Sequence, residues 1–163
     1  MLGPGLLVLR LGLAVVSIAH GVHTLFGMMG GPGSGVGPGG LSQTAEQFTA
    51  MGFPGFPVAV LAGLTELVGG ILLAVGYLTR WAAIALAALT TILAWKSQAP
   101  WGFFINWVME PGRAHGVEFS VILITAYACL ALTGAGEWSF DGRRAHRRSY
   151  VAAGRARLRG RHG

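Results

Sequence analysis

Two titratable side chains stand in surroundings that should not tolerate them: His20 within VSIAHGVHTLF and Glu66 within LAGLTELVGGILL. An imidazole and a carboxylate are the usual partners for taking and returning a proton. An ionisable group at the centre of an apolar span costs about 2.5 to 3.5 kcal/mol on insertion scales, so each should face an interior and have company. His20 has that company on its own segment. Steps of seven join Arg10, Ser17 and Thr24, and His20 lies three after Ser17 and four before Thr24. These four share one helical face, with His23 off it. Glu66 precedes Gly70 by four, on a face where Gly69 and Gly70 let a neighbouring helix come close. Glu66 and His20 are therefore the expected proton-exchanging, catalytic pair. Arg10, Ser17, Thr24 and Glu118 are the groups expected to hold a substrate. The structural alternatives are plain: His20 as a hydrogen bond between helices, and Arg10 as an anchor at a helix end.

Several chemistries find no residues to carry them. Cys129 is the single cysteine and lies in an apolar run, so no disulfide, CxxC pair or cysteine-based metal site can form within the chain; it reads as a small packing residue. The glycine-rich stretch 27–40 has no strand before it and no GK[ST] after it, which removes a phosphate cradle. His20 and His115 could ligate a haem only as a lone pair at unmatched depths. No metal motif and no covalently bound cofactor is expected.

The elements that must position these groups are apolar helices. Of 163 residues, 53% are hydrophobic and 11% charged, against about a quarter charged in soluble domains. A helix needs about 20 apolar residues to cross a bilayer. Four stretches come near that length, at about 5–26, 57–78, 81–98 and 116–133. The fold class expected is all-α, an integral membrane four-helix bundle. The first stretch lacks a basic lead and a small-x-small cleavage site, so it is expected to stay as a helix. Thr79-Arg80 is read as the link between the second and third spans, which makes them an antiparallel hairpin. Leu41, Ala45, Phe48 and Met51 recur at helical spacing and predict a short interfacial helix. By the rise of a helix, His20 lies about 9 Å and Glu66 about 14 Å below the outer ends of their spans, close enough to face each other.

Charge sets the orientation. Eight of the twelve Lys and Arg fall in the last 21 residues, so the isoelectric point near 10.8 belongs to the tail. Four spans put both termini on one side, with Arg80 beside them, and the opposite loops hold only Lys96 and Arg113. Basic residues mark the cytoplasmic face, so both termini are expected in the cytoplasm. The expected division is a helical domain at 1–137 and a basic tail at 138–163. Arg143, Arg144, Arg147 and Arg148 lie nearest the bilayer, where they would meet anionic lipid rather than nucleic acid. Trp101, Phe103, Phe104 and Trp107 suit the headgroup level on the other side.

The ordered set of motifs resembles the DoxX family of small bacterial membrane proteins. It runs through Arg10-Leu11-Gly12, His20-Gly21, Gly52-Phe53-Pro54, Glu66-Leu67-Val68-Gly69-Gly70, Gly76-Tyr77-Leu78-Thr79-Arg80, Gly102-Phe103-Phe104 and Gly116-Val117-Glu118. It ends in Gly134-Ala135-Gly136 with Ser139 and Asp141. One departure stands at Thr24, where family members often carry lysine; that role is absent here or passes to His23 or Lys96. The resemblance implies a redox-linked membrane protein, with quinone as the small molecule and soluble redox enzymes as partners. Three functions follow from it: a quinone-linked oxidoreductase component, a non-catalytic anchor for soluble redox enzymes, or a small proton-coupled transporter.

Overall fold

The computed structural model describes residues 2–30 and 39–144. Arg147 and Arg148 of the expected membrane-surface group lie outside these residues. All regular structure among the described residues is helical. Helix α1 runs over Leu2–Phe26, α2 over Leu41–Ala50, α3 over Gly55–Val75, α4 over Thr79–Leu93 and α5 over Glu118–Thr133. A π turn, Ala94–Gln98, and a 3-10 turn, Ala99–Trp101, prolong α4.

Three of these helices are long and apolar enough to cross a membrane: Gly3–Phe26, Gly55–Val75 and Thr79–Trp101. The 16 residues of α5 are apolar but shorter, rising about 24 Å against roughly 30 Å of hydrocarbon. Large apolar side chains also cover the outside of the molecule. Leu132 is 80% exposed, Val8 71% and Val15 68%. Large aliphatic side chains on that scale belong against lipid and not water.

Inside, Leu13 and Ala14 of α1, Leu73 of α3, Ala82, Ala83 and Leu86 of α4, and Tyr127 and Leu130 of α5 form one core. Helices α1 and α3 make the closest pair, and glycine is the reason. A side chain at Gly21 would run into the Leu67 backbone, and one at Gly70 into Ile18 and Ser17. Gly70 thus makes the close approach foretold for the Gly69-Gly70 face and draws the polar face of α1 against Glu66, while Gly69 faces Leu86 of α4. Helix α2 buries Phe48 against Ala59 and Ala62 of α3, with Leu41, Ala45 and Met51 beside it. Those are the four positions whose spacing predicted that helix.

The link between α3 and α4 differs from the expectation. Thr79 and Arg80 already belong to α4, and the turn is Gly76–Leu78. Gly76 takes φ +72° at the end of α3, where the N–H groups of Gly76 and Tyr77 bond back to Leu73 and Leu72. Glycine adopts that left-handed conformation without a steric penalty, so the helix stops there. A Cβ at Gly76 would also collide with Ser139 and Arg10.

Candidate functional site

The packing of α1, α3, α4 and α5 leaves a cavity of about 100 Å³. Its walls carry Ser17 and His20 from α1, Glu66 from α3, Thr90 and Gln98 from α4 and its π turn, and Ser120 and Tyr127 from α5. Val16, Leu86, Leu93, Phe119 and Leu123 supply the apolar remainder. Ser17 and Tyr127 are buried, Glu66 is half-buried, and His20 and Phe119 are exposed. The cavity therefore has a closed, hydroxyl-lined end and a side that opens between helices at His20 and Phe119.

Local structure explains how each polar group arrives there. Ser17 donates to the Leu13 carbonyl at 2.8 Å and meets the Tyr127 hydroxyl at 2.7 Å. Thr90 likewise donates to the carbonyl four residues earlier, Leu86, at 2.8 Å. Thr24 donates to Glu66 Oε2 at 3.1 Å, across the glycine-bearing contact of α1 and α3. Ser120 donates to Gln98 Oε1 at 2.7 Å, tying α5 to the end of α4. The π turn makes the last contact reachable. Each added residue rotates a helix by about 100°, so the wider turn changes which side Gln98 presents.

His20 and Glu66 line the same cavity, as their depths suggested, but they are not hydrogen-bonded to each other. Thr24 holds the carboxylate instead. Lys96 and His23, the two residues expected to take over a lysine's role, are not among the cavity residues. Lys96 Nζ lies 5.6 Å from the centre of the Phe53 ring, and His23 Nδ1 is 3.1 Å from the Met28 carbonyl oxygen.

Of the four expected substrate-holding residues only Ser17 lines the cavity; Thr24 touches it through Glu66 alone, and Arg10 and Glu118 sit elsewhere. Arg10 is 2% exposed, so it does not reach along the helix to an interface. Its guanidinium donates to the Ala135 carbonyl at 2.8 Å and the Trp138 carbonyl at 3.0 Å, pinning the chain after α5 onto α1. Beside it, both oxygens of Asp141 accept from N–H groups where α4 begins, those of the turn residue Leu78 and of Thr79. The Asp141 N–H returns a bond to Gly76. Residues 138–144 are thus folded onto the helices. Glu118 stays outside the cavity as well. Its carboxylate accepts from the Ile105 N–H at 3.1 Å and fastens the loop 102–117 to the start of α5. His115 Nδ1 accepts from Asn106 N–H within that loop.

Of the surface arginines, Arg143 and Arg144 are exposed at the Gly76 end, and Arg144 stacks 5.1 Å from the centre of the Tyr77 ring. Cys129 is exposed on the outer face of α5, not packed inside. Among the described residues, no three His, Cys, Asp or Glu side chains gather as a metal site would need.

Sequence reasoning missed Tyr127, Ser120, Thr90 and Gln98. A signal existed for two of them. Ser120, Leu123 and Tyr127 are spaced by three and four, one face of α5, and that face is polar at both ends. The sequence holds no comparable mark of the π turn that brings in Gln98.

No curated protein and no solved structure matches the chain. The DoxX family model does match, over residues 5–105. That span holds α1 to α4, with the close contact at Gly21 and Gly70, His20, and Glu66, and on it the chain belongs to the DoxX family.

Proposed function

We propose that this DoxX protein is a four-span component of a bacterial inner membrane, with both termini in the cytoplasm, and that its cavity exchanges protons with a quinone. Glu66 and His20 are the exchanging groups, and a soluble redox partner carries the electrons. One observation supports this above the others: a half-buried carboxylate and an imidazole share a cavity whose open side lies between apolar helices. A lipid-borne ring reaches such a site without entering water. Size limits the ligand. A cavity of about 150 Å³ holds a benzene ring, so 100 Å³ takes the edge of one ring while the rest stays in lipid. A flavin or a haem does not fit.

A smaller cavity favours a second reading too. One water occupies about 30 Å³ of liquid, so roughly three waters fill the space. That is enough to pass protons in a coupled transporter. Mass spectrometry of molecules that co-purify in mild detergent separates the alternatives. Quinone held near one per chain, and lost in Glu66→Gln, supports the oxidoreductase component. A stoichiometric soluble enzyme without quinone points to an anchor, and neither points to transport. Topology is tested apart from this. Reporter fusions at Ser34 and Gly112 should read external, and those at Arg80 and Gly163 cytoplasmic.

A further inference from the structure

The hydroxyl groups around the cavity have their protons committed, and this fixes what the cavity can offer a ligand. A serine or threonine hydroxyl has one proton and two lone pairs. Ser17 directs its proton to the Leu13 carbonyl, which can only accept. The 2.7 Å contact between Ser17 and Tyr127 must then be donated by the Tyr127 hydroxyl. Tyr127 is left with lone pairs and no proton for anything else. Thr90 is in the same position, because its proton goes to the Leu86 carbonyl. Ser120 gives its proton to Gln98, and Glu66 Oε2 already accepts from Thr24. The hydroxyl-lined wall therefore presents acceptors. The donors left are the Gln98 amide, one His20 nitrogen and, whenever Glu66 holds the proton it exchanges, its carboxyl O–H.

From this polarity we infer that the cavity takes the hydroxyl edge of a dihydroxy-aromatic ring, the reduced form of a quinone, in preference to the oxidised ring. The inference rests on the quinone reading above and adds a direction to it. A phenolic hydroxyl donates to Tyr127 or Thr90 and still accepts from Gln98 or His20. A quinone carbonyl only accepts, so facing Tyr127 and Thr90 it sets oxygen lone pairs against oxygen lone pairs. Buried acceptors left without a donor are what make such a pairing unfavourable. Discrimination of this kind is strong because the site is built to bond a hydroxyl and the analogue lacks one.

The test uses the full-length protein in lipid nanodiscs under argon, with a decyl-substituted benzoquinone and its hydroquinone as probes. Binding is followed by tryptophan quenching against empty nanodiscs. The hydroquinone should bind about tenfold tighter, the value of one well-made hydrogen bond. Thr90→Val and Tyr127→Phe each remove one acceptor and should weaken the hydroquinone severalfold while leaving the quinone within about twofold. Ser17→Ala should do the opposite to the quinone. It frees the Tyr127 proton for the cavity, so quinone affinity should rise and the preference shrink, an effect that simple loosening of the bundle does not produce. Equal affinities, or a tighter quinone, overturn the preference and leave the quinone reading standing. Binding of neither probe overturns both.

Discussion

The two polar clusters of this bundle draw on the same kinds of residue and arrive at opposite states. At the Gly76 end, Arg10 and Asp141 are tied to backbone groups, and Gly76 leaves no room for a Cβ. In the cavity, Glu66 and His20 line open space and are not bonded to each other, and one flank is exposed. Both clusters include members of the single polar stripe on α1, where Arg10 and His20 differ by ten residues. The lesson is that a polar residue in a span is structural when its bonds close on backbone carbonyls and N–H groups. It is available for chemistry when it borders unfilled volume. Insertion cost alone does not tell the two apart.

The sharpest way to break this comparison is at Arg10. Arg10→Met keeps the length of the side chain but orphans the Ala135 and Trp138 carbonyls. Bonds from a charged group contribute about 1.5 to 3 kcal/mol each, so a loss of about 3 kcal/mol or more is expected in reversible unfolding in detergent. Arg10→Lys should recover only part of it, since an ammonium lacks the planar fork. A stable Arg10→Met variant that loses function would move Arg10 into the site. Next comes the helix contact on which the cavity depends. Gly70→Leu forces α1 and α3 apart and should cost about 1 to 3 kcal/mol, as overpacking does. It should also lower function, because the Thr24–Glu66 bond spans that same contact.

How much of this was legible beforehand follows from what each feature is made of. The helices and the Phe48 face of α2 were readable because burial repeats with the helical period. That His20 and Glu66 line one cavity was readable as depth, which counts only residues, whereas no direct bond joins them. Arg10 was misplaced because its partners are carbonyls of Ala135 and Trp138, more than 120 residues away, and every residue has a carbonyl. Glu118 was misplaced for the same reason, its partner being the Ile105 N–H. Gln98 depends on a π turn, which propensity does not register.

A milder change sharpens the Gly76 end. Asp141→Asn keeps one oxygen to cap α4 and loses the charge that suits a helix N-terminus, so about 1 kcal/mol should go. Asp141→Ala should cost more than Asp141→Asn. If both are silent in thermal unfolding, residues 138–144 are not held by this cap, and the tail begins earlier than the packing indicates.

The smallest effect on stability should come from the residue with the largest effect on function. Glu66→Gln retains an oxygen to accept from Thr24 and nearly the same volume, so its unfolding should change by less than about 0.5 kcal/mol. What it removes is the titratable group. Under the proposed function, the variant should lose its co-purifying quinone and the cellular phenotype of the protein while expressing at the wild-type level. His20→Ala should match it, because His20 is exposed and holds no part of the core. The double variant should be no worse than either single one, as expected of groups that act as a unit on one proton. Thr24→Val separates holding from exchanging. It removes the bond that orients the carboxylate but leaves the proton, so a partial loss is expected, between wild type and Glu66→Gln. Should Glu66→Gln unfold the bundle instead, Glu66 belongs with Arg10 among the structural groups. The cavity would then be a packing defect beside a load borne by Thr24 and Glu66, and the difference between the two clusters would disappear.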